Sequence, residues 1–308
     1  MKGKHIFLTI LLTLIYSLCY VMIKAGLSYA PPLLLGGLRT LIAGTALLGW
    51  TLFRRERLLP SKTRWKELLV LSFVGTTLVF GAMFLSPGLA GAGIAAVLGN
   101  SQALITVALA AVFLGERLST GKTAAVLLGI SGMILIAYPA LKASNAESTL
   151  GIGLALATST GTATGNVIVK RSKIRRGLLA FAGWQLVLGS LPLLFFSRLI
   201  ERGHEITWNM EFGGLLLFLA LVETSFTTAA WYWLIQQEDV GRLSLFYFLV
   251  PIFGLGIATS VHKEAINLYE GVGIAVILTG IGALIWEASR TPAREFTYCP
   301  ACNTKVAL

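Results

Sequence analysis

Ten times along its 308 residues the chain runs through about 20 largely apolar residues in a row, the length that spans a bilayer as a helix. These segments are 6–28, 32–53, 67–86, 91–114, 121–140, 150–169, 178–198, 212–235, 242–261 and 269–288. Backbone polar groups in lipid must be satisfied within the segment itself, so each run is expected to be helical. The connections 29–31 and 87–90 are short enough to force antiparallel hairpins. Only 13% of the residues are charged, against about 25% in an ordinary soluble domain. The first run follows Met-Lys-Gly-Lys-His, as a secretion signal would. Its apolar stretch exceeds the roughly 7–15 residues of a signal core, and no small-residue site closes it, so it reads as a retained span. The expected fold class is an all-α membrane protein with ten transmembrane helices.

A formal charge of +11 invites a nucleic-acid reading, but the distribution gives a better account. With the N-terminus placed inside, nineteen of the 25 Lys and Arg residues fall on inner segments, including RRERLLPSKTRWK and KRSKIRR. The outer segments hold Lys142, Arg198, Arg202 and Lys263. This asymmetry follows the positive-inside rule. It predicts a multi-pass protein of the cell (inner) membrane with both termini cytoplasmic, with membrane lipid and not nucleic acid as its partner.

The segment beginning at Gly93 reappears, weakly but over a long stretch, from Gly241. Gly93 and Glu116 fall on Gly241 and Glu264 at an offset of 148, and Gly121 and Gly132 on Gly271 and Gly282 after a two-residue loop difference. Upstream, Lys24 and Arg39 fall on Lys170 and Gln185 at an offset of 146. The chain therefore divides into a first five-helix repeat, 1–146, a second, 147–288, and a tail, 289–308. Five is odd, so the second copy enters the membrane from the opposite side. Two such inverted halves can exchange which face of a central site is open, and that arrangement suits alternating-access transport.

Several local stretches carry a family resemblance. They are Lys24 before a short outer turn, Arg39 in PPLLLGGLRTLIAG, LGERLS closing the fourth span and SLFYFLVPIFG opening the ninth. On these residues the sequence resembles EamA-type members of the drug/metabolite transporter superfamily over roughly residues 6–288. The resemblance implies two inverted five-helix repeats around a central cavity, with the last helix of each repeat peripheral. It also implies efflux or exchange of small metabolites such as amino acids. The repeats differ in detail: Gln102-Ala103 stands where the second repeat has Val250-Pro251, and HKEA replaces the GER-like turn.

Glu223 is the most constraining candidate, because a carboxylate at bilayer depth is costly unless paired, neutral or hydrated. Thr227 and Trp231 follow at four-residue intervals and share its helix face. The equivalent position in the first repeat is Gly75, so the carboxylate is no part of a scaffold both halves need. It reads as an anchor for an amine, as a proton-titrating group, or as half of a buried pair with a cation such as Lys24 or Lys170. Arg39 could clamp a carboxylate or cap a carbonyl-rich helix end. Asn100 and Gln102 in the fourth span, Trp184 and Gln185 in the seventh, Tyr16 in the first and Tyr247 in the ninth complete the candidate substrate-binding set. A polar run in the sixth span ends at Asn166. Such groups can line a cavity or act as helix–helix glue. Glu116 and Glu264, at matching membrane edges, read as caps.

The tail holds Cys299 and Cys302 in a C-P-x-C knuckle, but zinc sites of that kind need a second pair. Either a second tail, in a dimer, or a partner completes a metal site, or the tail is cytosolic, reduced and mostly disordered. No nucleotide-binding loop, zinc-protease motif or nucleophile elbow is present, so neither an enzyme nor a cofactor is expected. The sequence predicts a secondary carrier exporting or exchanging a small metabolite, such as an amino acid or amine. The competing reading is a membrane sensor or scaffold that recruits a partner through its tail.

Overall fold

Punctuation in the sequence sets the helix ends. Pro31 and Pro32 start the second helix, where proline's missing N–H costs nothing. Asn209 and Asp239 cap two others, accepting hydrogen bonds from the amides of Phe212 and Arg242. Gly115, at φ 67°, ends the fourth helix in the left-handed conformation that favours glycine. The computed structural model describes residues 3–60, 64–90, 98–99, 101–143, 149–174, 177–201, 206–262, 268–290, 296–299 and 304–307.

Among these residues the helical segments are α1 (Gly3–Gly26), α2 (Pro32–Phe53), α3 (65–90), α4 (Gln102–Leu114) and α5 (Thr120–Ala143). The second set comprises α6 (Thr149–Arg171), α7 (Leu178–Ile200), α8 (Met210–Gln237), α9 (240–262) and α10 (Leu268–Arg290). Helices α2, α3, α6, α7 and α8 are each long and apolar enough to cross a membrane, and the others carry shorter apolar stretches. In the tail, β1 (Phe296–Cys299) pairs antiparallel with β2 (Thr304–Ala307), Phe296 opposite Ala307. FTYC and TKVA are rich in the aromatic and β-branched residues that suit strands. Cys302 lies outside the described residues, and so does Asn100. Among the described residues no cluster of three or more His, Cys, Asp or Glu could hold a metal ion.

Hydrogen bonds at the helix ends fix the direction of each element. One end of the molecule gathers the starts of α1, α3, α5 and α9 and the ends of α4, α6, α8 and α10. There His5 meets Glu238 at 2.5 Å, Ser172 donates to Glu67, and Ser119 donates to Glu287. Glu116 accepts from the amides of Val240 and Gly241 at the start of α9, so it caps a neighbouring helix. Lys170 donates to the carbonyls of Ile235 and Glu238 at the end of α8. At the opposite end, Glu201 at the close of α7 accepts from the amides of Leu33 and Leu34 at the start of α2. Every helix of the first repeat thus runs opposite to the helix five places later.

Packing follows the same two-fold logic. Helices α2 and α7, α4 and α9, and α5 and α10 pack against their own counterparts, while α1 lies on α8 and α9 as α6 lies on α3 and α4. The crossings are close. A Cβ on Gly44 would stand 2.7 Å from the Gly183 carbonyl oxygen, and one on Gly132 2.6 Å from that of Gly273. Small residues allow this approach, which is how helices gain packing where lipid offers no hydrophobic drive.

One symmetric feature had no signal in the sequence. Helix α3 widens into a π-helical turn at Phe73–Leu78, and α8 does so at Phe218–Phe226. In α3 the Thr77 hydroxyl is shared between the Ser72 carbonyl and, at 2.8 Å, the Gly189 carbonyl of α7. In α8 the Ser225 hydroxyl is shared between the Ala220 carbonyl and, at 3.0 Å, the Ala43 carbonyl of α2. Each partner in one set is the repeat equivalent of its partner in the other. Insertions of this kind recur at functional sites in helical proteins.

Candidate functional site

Helices α1–α4 and α6–α9 line a cavity of about 160 Å³, to which α5 and α10 contribute no lining residue among those described. Glu223 and Arg39 meet at its wall, each almost fully buried at 1% and 3% exposure. The Arg39 Nη2 donates to the Glu223 carboxylate. Its Nε donates to the Thr224 hydroxyl at 2.8 Å, its Nη1 to the Cys19 Sγ at 3.2 Å, and its guanidinium lies 5.0 Å over the Phe80 ring. The partner of Glu223 is therefore Arg39, in place of the Lys24 or Lys170 considered from the sequence; Lys170 is spent on the end of α8, and the Lys24 side chain lies outside the described set. Arg39 is correspondingly committed to a carboxylate of this chain.

The π-turn explains why α8 can offer Glu223 and Thr224 together. A wider turn rotates consecutive side chains toward the same side, so both reach the guanidinium. The symmetry-related contact between α7 and α3 shows the same construction without charge. Gln185, equivalent to Arg39, donates through Nε2 to Thr76, equivalent to Thr224, at 3.0 Å. Gly75 stands where α8 has Glu223, and a Cβ there would lie 3.1 Å from Leu71 and 3.5 Å from the Gln185 Nε2. The Gln185 Oε1 accepts from the Tyr232 hydroxyl at 2.5 Å.

An aromatic group lines the cavity on the side toward the end where α1 starts and α10 ends. Trp231 and Tyr247 meet edge to face at 4.8 Å, and Tyr16 packs on Tyr247 at 5.5 Å. Trp231 Nε1 donates to the Asn166 Oδ1 at 3.0 Å. The Asn166 Nδ2 is buried and has no partner. Thr227 turns its hydroxyl back to the Glu223 carbonyl, so it presents a methyl group and an oxygen lone pair. Among the lining residues the charged groups are Arg39 and Glu223 alone, and the formal charge of the cavity is zero.

Of the residues singled out in the sequence, Glu223, Thr227, Trp231, Tyr247, Gln102, Gln185, Tyr16 and Arg39 line this one cavity. Trp184 does not. Its Nε1 donates to the Leu58 carbonyl at 2.9 Å and its ring packs on Trp65, because one residue along a helix turns a side chain by about 100° and Gln185 takes the inner direction. Cys19, Thr224, Thr228 and Tyr232 also line the cavity without having been singled out. Thr228 and Tyr232 lie at four-residue intervals after Thr224, a second stripe beside the first that the helical period could have revealed.

The sequence model of the EamA-like transporter family matches residues 3–138 and again 149–286. The chain belongs to the EamA-like transporter family. It is a multi-pass membrane protein of the drug/metabolite transporter superfamily, and its two matched stretches are the two sets of helices described above. Among relatives of this EamA-like chain, the "Probable amino-acid metabolite efflux pump" of Salmonella typhimurium is 29% identical over 290 residues, covering 91% of this chain and 94% of that protein. The "Uncharacterized transporter YvbV" of Bacillus subtilis is 26% identical, covering 91% of each chain. A crystal structure 20% identical in sequence superposes with a TM-score of 0.78 over 93% of this chain and 97% of that one, a likeness of fold alone.

Proposed function

We propose that this EamA-like transporter is a secondary carrier that exports or exchanges a small metabolite of no net charge, such as an amino acid or a close relative, by alternating access. The observation that carries the reading is the central cavity. It is walled by eight helices drawn equally from two inverted halves, it holds one balanced Arg39–Glu223 pair, and it is faced with Tyr16, Trp231 and Tyr247. A cargo bearing a net charge would leave that charge uncompensated in a site of low dielectric, at a cost of several kcal/mol. A zwitterion or neutral solute incurs no such cost. The efflux-pump relative of Salmonella supports the amino-acid class. On this reading 1–146 and 147–288 act as the two moving units, and the tail 289–308 is an appendage. Both termini face the cytoplasm of the inner membrane, in accord with the excess of Lys and Arg on the segments at that end.

The test is counterflow in proteoliposomes with radiolabelled leucine, threonine, lysine and glutamate. Exchange of the zwitterions with little exchange of lysine or glutamate is the expected result. Preference for either charged amino acid would refute the charge-balance argument. No exchange of any of the four would remove amino acids from the cargo class.

A further inference from the structure

Among the described residues that line the cavity, Asn166 carries a fully buried side-chain donor that has no partner. It is 4% exposed. Its Oδ1 is taken by Trp231 Nε1 at 3.0 Å, which fixes the amide so that Nδ2 is the group left over. That Nδ2 has no acceptor. A buried donor without a partner costs about 1–3 kcal/mol, so such a group persists where something outside the fold completes it. Its surroundings narrow what that something is. The two cavity-facing charges are spent on each other, and the adjoining surfaces are the rings of Trp231 and Tyr247.

The first repeat has no equivalent of this corner. Offsets of 146 to 148 place Tyr20 or Leu18 opposite Asn166, and Met83 opposite Trp231. A feature present in one half only is no requirement of the shared scaffold. It also lies about two helical turns from the Arg39–Glu223 pair, since Trp231 is eight residues beyond Glu223. One compact α-amino acid head cannot span both.

We propose that Asn166 is a specificity-determining residue at the floor of the cavity, donating its Nδ2–H to an acceptor oxygen of the cargo while Trp231 orients the amide and, with Tyr247, takes the cargo's apolar portion. The proposal rests on the transport function argued above and adds the chemistry read at the floor. The recognised group is a carbonyl or carboxylate oxygen. Asn166 thereby selects for cargo that carries such an oxygen next to an apolar body, and against amines of the same shape that lack it.

Competition against labelled-leucine counterflow by leucinamide and isopentylamine tests this: both are monocations in slightly acid buffer and share the apolar body, so charge does not separate them. In the wild type, leucinamide should compete on the order of tenfold better than isopentylamine, the expected effect of one buried hydrogen bond. In Asn166→Leu that preference should fall to near unity, with isopentylamine unchanged, and the KM for leucine should rise by a similar factor. Trp231→Phe keeps the packing but frees the amide to turn, and should erode the preference partially, which keeps the proposal testable if Asn166→Leu fails to fold. If both variants retain the wild-type preference, or lose both probes in parallel, Asn166 is a packing residue and the inference fails while the carrier function stands. If the wild type itself does not prefer leucinamide, the donor is satisfied by water and the inference fails as well. If the wild type exchanges no leucine, the cargo class falls and takes this inference with it.

Discussion

Glu223 and Arg39 show what a single buried charge can and cannot disclose about itself. Each was legible in the sequence, because a charged side chain surrounded by apolar neighbours must be compensated. Their pairing was not, since they are 184 positions apart and belong to different repeats. Trp184 failed for a smaller reason: adjacent polar residues on a helix point about 100° apart, so only Gln185 could face inward. The pair makes a prediction about stability. Glu223→Gln alone leaves a buried guanidinium uncompensated and should destabilise by about 3–5 kcal/mol. Adding Arg39→Gln and exchanging Glu223 for Gly instead of Gln copies the arrangement of Gln185 and Gly75. That double variant should return to within about 1 kcal/mol of wild type, because removing both ions also removes their desolvation cost. Thermal unfolding in detergent measures both, and losses that simply add would show that the charges are not coupled.

At the scale of elements, the ten apolar runs were readable because lipid leaves a spanning segment little choice but a helix. The helix ends and the π-turns were less so. Apolar windows stop where polar residues begin, yet α1 already starts at Gly3, three residues before its apolar run, and a single extra residue within a turn leaves no mark on composition. Two predictions belong here. The α2–α7 crossing at Gly44 has no room for a side chain, so Gly44→Leu should lose folded protein in size-exclusion chromatography. By contrast, Gly213→Ala, with nothing within 4 Å, should be neutral or slightly stabilising. The cap on α9 should be sensitive to pH. Burial and the neighbouring Asp239 carboxylate raise Glu116 from 4.5 to about 7, while Asp239 is held below its usual value by Glu116, Lys122 and the Arg242 amide. The fold therefore favours protonated Glu116, and this contribution is complete below about pH 4.5 and lost as the pH rises toward 7. After allowance for its partial exposure it is on the order of 1 kcal/mol. The melting temperature should fall across that window, and Glu116→Gln should flatten the fall. An unchanged slope in the variant would assign the pH response to other groups.

For the molecule as a whole, the inverted repeat was visible as a faint sequence echo, and the helix-end contacts give it physical form. Because the starts of α1 and the ends of α10 share one face, tags placed at both termini should be reached by the same impermeant reagent in oriented vesicles. Labelling from opposite sides would contradict the topology. The sequence showed that the halves differ, Arg39 against Gln185 and Glu223 against Gly75, but not that these four residues meet in one cavity. A carrier that works by letting each half adopt the other's shape visits two states that would be equal in energy if the halves were identical. Here one of the two symmetry-related contacts between the halves is the Arg39–Glu223 ion pair and the other is the amide of Gln185 on the hydroxyl of Thr76, so the two orientations cannot be degenerate. The protein rests with a built-in lean toward one side of the membrane. Moving the charges across the axis, with Arg39→Gln and Glu223→Gly joined to Gln185→Arg and Gly75→Glu, should tip that lean the other way.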